Sequence, residues 1–185
     1  MKIQKGDYGY IKHQKKIEIL KTSIMFALVI IIFAAGYVTT KSRLNLFTLV
    51  AVLGCLPASK ELVSLIMILP RKGLEPGVYE KISPVAEKSS VAYEMVMTSY
   101  EKTMPLDCLA VLGNTMIGYS GSEKADVSLL EKHIRDICNG NKYKVTIKIF
   151  RDLDAFLERL SQLEEKGEPS ELQDTVLNTM KAVSL

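Results

Sequence analysis

Three side chains in the C-terminal half have the types and spacing to act together: Glu94 and Asp107, which fall on neighbouring predicted strands, and Lys148 on a further one. A carboxylate pair with a lysine is a donor set that metal-dependent hydrolysis can use. Glycines 113, 118 and 121 precede a predicted helix, where free backbone N–H groups could hold an anion. No Gly-Lys-Ser/Thr ends that run, so the Walker pattern is absent, and turn and sheet geometry explains these glycines better. The remaining chemical candidate is Lys60-Glu61, an ionisable pair inside a long apolar run.

The carboxylates, the lysine and a strand hairpin followed by a helix resemble the metal-dependent nuclease core of restriction-endonuclease-like enzymes. That family carries an acidic-x-lysine motif on the second strand of the hairpin. Here that strand reads Met116-Ile117-Gly118-Tyr119-Ser120, so nuclease activity is disfavoured. Cys55, Cys108 and Cys138 form no CxxC, and His13 and His133 are far apart in sequence, so neither a disulfide framework nor a zinc site is supported. Buried or half-buried free thiols are expected, His133 reads as a solvated residue, and the methionines read as apolar filler. No catalytic, metal-ligating or cofactor-binding residue is assigned, and no cofactor is implied.

These candidates depend on elements that lie after a different kind of sequence. Residues 19–38 and 44–69 are apolar runs separated by Thr39-Thr40-Lys41-Ser42-Arg43. At about 1.5 Å per residue the first reaches roughly 30 Å, enough to cross a bilayer's hydrocarbon core. The leader, residues 1–23, carries Lys2, Lys5, Lys12, Lys15, Lys16 and Lys21 against Asp7 and Glu18. Residues 24–69 add a net +2, which leaves −3 for the rest of a chain whose net charge is +3. The basic balance therefore belongs to the membrane-proximal part, and no nucleic-acid partner is expected. Lysines before the first run and Arg71-Lys72 after the second predict that both termini face the cytoplasm of a bacterial cell. A cleaved signal ending near Ala34-Ala35-Gly36 is the alternative, opposed by the long leader and the second apolar run.

Lys21, Lys41, Arg43, Lys60, Glu61, Arg71 and Lys72 are the expected membrane-interface residues. Lys60 is sixteen residues beyond Leu44, or roughly 24 Å along the helix, which places it near the inner boundary where its stem can snorkel. Pro57 can bend this helix. Leu62, Leu65, Ile66 and Leu69 predict an apolar face on an amphipathic segment leaving the bilayer.

Residues 71–77 read as a linker and 78–185 as one α/β domain. The pattern predicts strands at 78–82, 91–100, 106–112 and 115–120, with a helix after Ser83-Pro84 as an alternative for residues up to 90. Helices follow over Val127 to Ile137, from Asp152 or Asp154 through Leu163, and from a Ser170/Gln173 capping box through Val183, with a strand at Val145 to Ile149 between the first two. The fold class is a membrane helical hairpin plus an α+β-like domain: a β-meander, then α-β-α-α, in a mixed sheet with helices mainly on one face.

The segments Tyr93-Glu94-Met95-Val96-Met97-Thr98-Ser99-Tyr100-Glu101-Lys102, Val145-Thr146-Ile147-Lys148-Ile149-Phe150 and Phe156-Leu157-Glu158-Arg159-Leu160 resemble a family of small uncharacterised bacterial membrane proteins. The resemblance implies two spans followed by a cytoplasmic α/β domain, and no activity. The expected function is an integral protein of the cytoplasmic membrane whose domain binds a protein partner or its own copies. The rivals are a membrane-surface enzyme or nucleotide-binding module, and an oligomeric transporter or channel component using Lys60 and Glu61.

Overall fold

The structure is a computed structural model that describes residues 3–41, 45–99, 102–123 and 125–185. It divides into a helical unit, Ile11–Lys72, and an α/β unit formed by Met1–Tyr10 together with Gly73–Leu185. Residues 3–10, which charge alone groups with the basic leader, thus belong with the domain that follows the hairpin.

The helical unit is an antiparallel pair, α1 (Tyr10–Thr40) and α2 (Leu46–Ile68), both long and apolar enough to cross a membrane. Asn45 closes the turn between them. Its side chain accepts from Thr48 N at 2.8 Å and donates to Gly36 O at 3.0 Å and Thr40 Oγ1 at 2.7 Å. Glu18, Thr22 and Gly36 of α1 and Ala51, Ala58 and Ile68 of α2 are buried, at the near-heptad spacing of a coiled seam. Small residues let the helices approach: a Cβ on Gly36 would stand 2.4 Å from Phe47 Cβ. α2 continues through Pro57 without a break. Beyond it Ile68 is buried and Leu65 half-buried, while Leu62, Ile66 and Leu69 of the predicted apolar face are exposed. The seam instead keeps the phase of Ala51 and Ala58.

The α/β unit opens with α3 (Pro76–Ile82), where the sequence pattern predicts a strand at 78–82. Pro76 at the first helical position is pre-set for a helix, and Val78 and Ile82, four apart, share one helical face. The alternative helix after Ser83-Pro84 does not form; turns and bends lead directly into β1 (Ser90–Thr98). Then come β2 (Thr103–Leu112), β3 (Thr115–Tyr119), α4 (Val127–Gly140), β4 (Thr146–Phe150), α5 (Leu153–Lys166) and α6 (Glu171–Val183). Residues 100 and 101, the end of the predicted second strand and its turn, lie outside the described residues. Asp126, Asp152 and Ser170 cap the last three helices, and Ser170 and Gln173 form the expected capping box.

The sheet order is β1-β2-β3-β4, antiparallel through β3, with β4 parallel to β3 after the α4 crossover. The expectation of helices mainly on one face is corrected. Met95, Leu109, Leu130, Ile134, Val176 and Met180 form a core with α4 and α6. Ile82, Cys108, Ala110, Ile117, Phe156 and Leu160 form a second core with α3 and α5. The reason lies in β2, where Leu109, Ala110 and Val111 are all fully buried, so both faces of this strand need cover.

The free edge of β1 is occupied by the two ends of the chain. Tyr93 N donates to Gly6 O at 2.8 Å, and Leu185 N donates to Val96 O at 2.9 Å. Tyr8 stacks on Tyr79 with centroids 4.1 Å apart, and Tyr79 meets Tyr93 edge-on. Such cover protects an edge that otherwise offers unpaired backbone groups to other chains.

Candidate functional site

Glu94 and Asp107 do come together. They fall opposite one another at the one gap in an otherwise continuous β1–β2 ladder, between Tyr93↔Cys108 and Met95↔Leu106. Facing alternation slips in both strands there. Ala92 and Met95 share one core although three residues apart, and Leu106 and Cys108 belong to opposite cores although two apart. Glu94 has φ +53°, a left-handed conformation unfavourable for a side-chain-bearing residue. Its buried carboxylate offsets that cost by accepting from Leu74 N at 3.0 Å. Asp107 Oδ2 accepts from Gly121 N at 2.7 Å. The pair therefore staples two distant loops to a break in the sheet.

The electrostatics are those of a desolvated acidic spot. Burial pushes the Asp107 carboxyl above its ordinary value; the Gly121 N–H opposes this, while Glu94 and Glu75 add to it. Burial also raises the Tyr119 phenol, helped by Asp107, Glu75 and Asp152. Tyr93 is raised by burial, then by Cys108 and Tyr79. The Cys108 thiol is pushed up by complete burial and by Asp107, which suits a packing residue rather than a nucleophile. A carboxyl that keeps its proton to higher pH is the kind of group general acid chemistry uses.

Lys148 does not join the pair. It lies on β4, separated from β2 by β3, and its ammonium meets Glu131 of α4 at 3.6 Å. At roughly 4.8 Å between strands, β4 lies about 10 Å from β2. Among the described residues, no three His, Cys, Asp or Glu side chains gather in a metal-binding group.

The three glycines are also accounted for. Gly113 takes φ +56° in the β2–β3 turn, which favours glycine, Gly118 lies against Ile149 and Leu106, and the Gly121 N–H is held by Asp107. Cys108 and Cys138 are buried as expected, whereas Cys55 is exposed on α2. Burial raises the Cys138 thiol as well. His133 is half-buried rather than solvated, and its Nε2 is buried without a hydrogen-bond partner among the described residues.

Of the interface candidates, Lys21, Lys41, Lys60 and Lys72 are exposed and Glu61 and Arg71 half-buried; Arg43 lies outside the described residues. Thr22 Oγ1 donates to Glu61 O at 3.2 Å, which brings Lys21 and Glu61 to one level. Lys21 pairs with Glu18 at 3.4 Å. Sequence reasoning passed over two participants, Lys15, whose Nζ donates to Leu69 O at 2.8 Å at the end of α2, and Tyr119 beside Asp107. An aspartate in an otherwise apolar strand was the available signal for the second, and none existed for the first.

At one end of the α/β unit a shallow groove of about 450 Å³ lies between the Gly113-Asn114 turn, the 141–145 loop and α6. Tyr143, Val145, Leu172 and Val176 give it an apolar floor, and the exposed Lys142 and Lys144 border it. No family model matches this chain, and no curated protein or solved structure matches it.

Proposed function

We propose that this chain is a two-span protein of a bacterial cytoplasmic membrane, with both termini in the cytoplasm, whose α/β domain docks a protein partner or a second copy of itself. The observation that carries the membrane reading is the surface of the hairpin. Ile30, Ile31, Val38, Leu46 and Leu56 are each more than 60% exposed, an apolar surface that is unfavourable in water and favourable in lipid. The basic residues at 12–21 and 71–72 support the orientation. The half-apolar groove around Tyr143 and Leu172 supports docking.

A reporter fused after Leu185 is expected to be active in the cytoplasm, and one inserted at Ser42 outside it. Two cytoplasmic readings would overturn the spanning hairpin. A second reading, an enzyme at the membrane surface, is favoured by the raised Asp107 carboxyl opposite Glu94. Cleavage of DNA or RNA with magnesium or manganese, abolished by Asp107→Asn, would establish it in place of the docking role.

A further inference from the structure

Five cations of the hairpin lie near one height, while Lys21 and Lys60 lie further along the helices and Lys41 at the other end of α1. The Lys15–Leu69 and Thr22–Glu61 bonds fix the register of the two helices, so that the end of α2 lies level with the first turns of α1. Lys12, Lys15 and Lys16 on α1 and Arg71 and Lys72 after α2 consequently fall within a band roughly 10 Å high. Residues 11–17 and 69–72 contain no aspartate or glutamate. The nearest acid in α1, Glu18, is buried in the seam and engaged by Gln14 and Lys21. Lys12, Lys16 and Lys72 are exposed. Next to this band the surface is mostly apolar, with Ile19, Leu20 and Ile24 exposed on α1 and Ile66 and Met67 on α2, interrupted by the exposed Lys21, which pairs with Glu18.

A cationic collar bordering an apolar belt matches one class of ligand, a phosphodiester joined to acyl chains. We propose that the collar of Lys12, Lys16 and Lys72 binds the headgroup phosphate of anionic phospholipid in preference to zwitterionic lipid. A zwitterionic headgroup brings its own cation and gains little from further ones, whereas an anionic one keeps a net negative charge. Inorganic phosphate shares the charge but has no chains to lie along Ile19 and Ile66. Lys15 adds to the positive charge but also ties the helices together through Leu69 O, so it is left unchanged in the variants.

The inference rests on the membrane reading, and its test separates the two. The full-length protein in detergent micelles is titrated with phosphatidylglycerol, phosphatidylcholine or inorganic phosphate, and bound lipid is counted by native mass spectrometry. Phosphatidylglycerol is expected to bind about tenfold more tightly than phosphatidylcholine, and the triple variant Lys12→Gln, Lys16→Gln, Lys72→Gln to lose that preference. The charge-keeping triple variant Lys12→Arg, Lys16→Arg, Lys72→Arg is expected to retain it, which guards against a folding artefact. Equal affinity for the two lipids, a preference that survives the glutamine variant, or displacement of phosphatidylglycerol by millimolar inorganic phosphate would each overturn the proposal. Resistance of the protein to alkaline extraction from membranes, measured separately, tests the membrane reading: an extraction-resistant protein without lipid preference refutes the collar alone.

Discussion

The two units of this protein arrange the same side-chain types in opposite ways. In the α/β unit Leu109, Ile117 and Phe156 are fully buried while Lys144, Lys148 and Glu168 face outward. In the hairpin Glu18, Thr22, Gly36, Ala51 and Ala58 occupy the seam, and Leu28, Ile31 and Leu53 are exposed. The domain is organised by the removal of apolar surface from water. The hairpin is organised by close backbone approach and a few polar contacts, which is how helices associate where the surroundings are as apolar as leucine. Paired substitutions test whether that inversion is real.

The largest effect is expected at Phe156, fully buried between Tyr119 and Phe150. Phe156→Ala should cost the domain about 4 kcal/mol. The matching truncation in the hairpin, Leu28→Ala at a half-exposed site, should leave the folded protein in detergent nearly unchanged. Hydrogen exchange of the β2 and β3 amides reads the first, and helical circular dichroism the second. Similar losses at both sites would mean that Leu28 packs against protein.

Reversing chemistry at the same position gives the next effect. On the proposed spanning reading, Leu28→Arg should raise the cost of insertion by about 3 kcal/mol, the penalty for a cation near the centre of a span. A glycosylation-based insertion assay measures it directly. Unchanged insertion would remove Leu28 from the lipid-facing surface.

Much of this inversion was legible in sequence because it is written in periodicity. Leu130 with Ile134 and Phe156 with Leu160 keep helical spacing behind Asp126 and Asp152 caps, and Ile147 with Ile149 keeps strand spacing. What was not legible depends on partners far away in the chain. The break at Glu94 and Asp107 is held by the N–H groups of Leu74 and Gly121, twenty and fourteen residues distant. α3 is only seven residues long, so Val78 and Ile82 offered too short a pattern to separate helix from strand. The docking of residues 3–10 on β1 leaves no local pattern at all. In the candidate site, Glu94 and Asp107 were legible as a pair on adjacent strands and Lys148 as lying on a further strand, whereas the position of that strand beyond β3 follows from the α4 crossover and was not legible.

That docked segment supplies a smaller test. Tyr8→Ala removes a face-to-face stack on Tyr79 and should destabilise the domain by about 1 kcal/mol. The loss should concentrate in exchange of the Tyr93 amide, whose N–H is bonded to Gly6. An unchanged Tyr93 exchange rate would show that the segment does not close the β1 edge in solution.

The smallest effect is expected at Asp107, and there pH matters more than size. The carboxyl sits above its ordinary range in the folded domain because burial disfavours its charge. An acid whose folded pKa is raised favours folding fully below its unfolded pKa, near about 4, and loses that contribution as pH rises through the folded value. A carboxamide in its place would stay neutral throughout, and its oxygen could still accept the Gly121 N–H. Asp107→Asn should therefore be less disruptive at pH 7 than at pH 4, relative to wild type, with a gain at neutral pH below about 1 kcal/mol. Hydrogen exchange of β2 amides at the two pH values measures the difference. A variant that is instead relatively weaker at pH 7 would show that the ionised carboxylate is held favourably by Gly121, and the acidic spot would then be a structural anchor like the capping aspartates, with no proton to offer to chemistry.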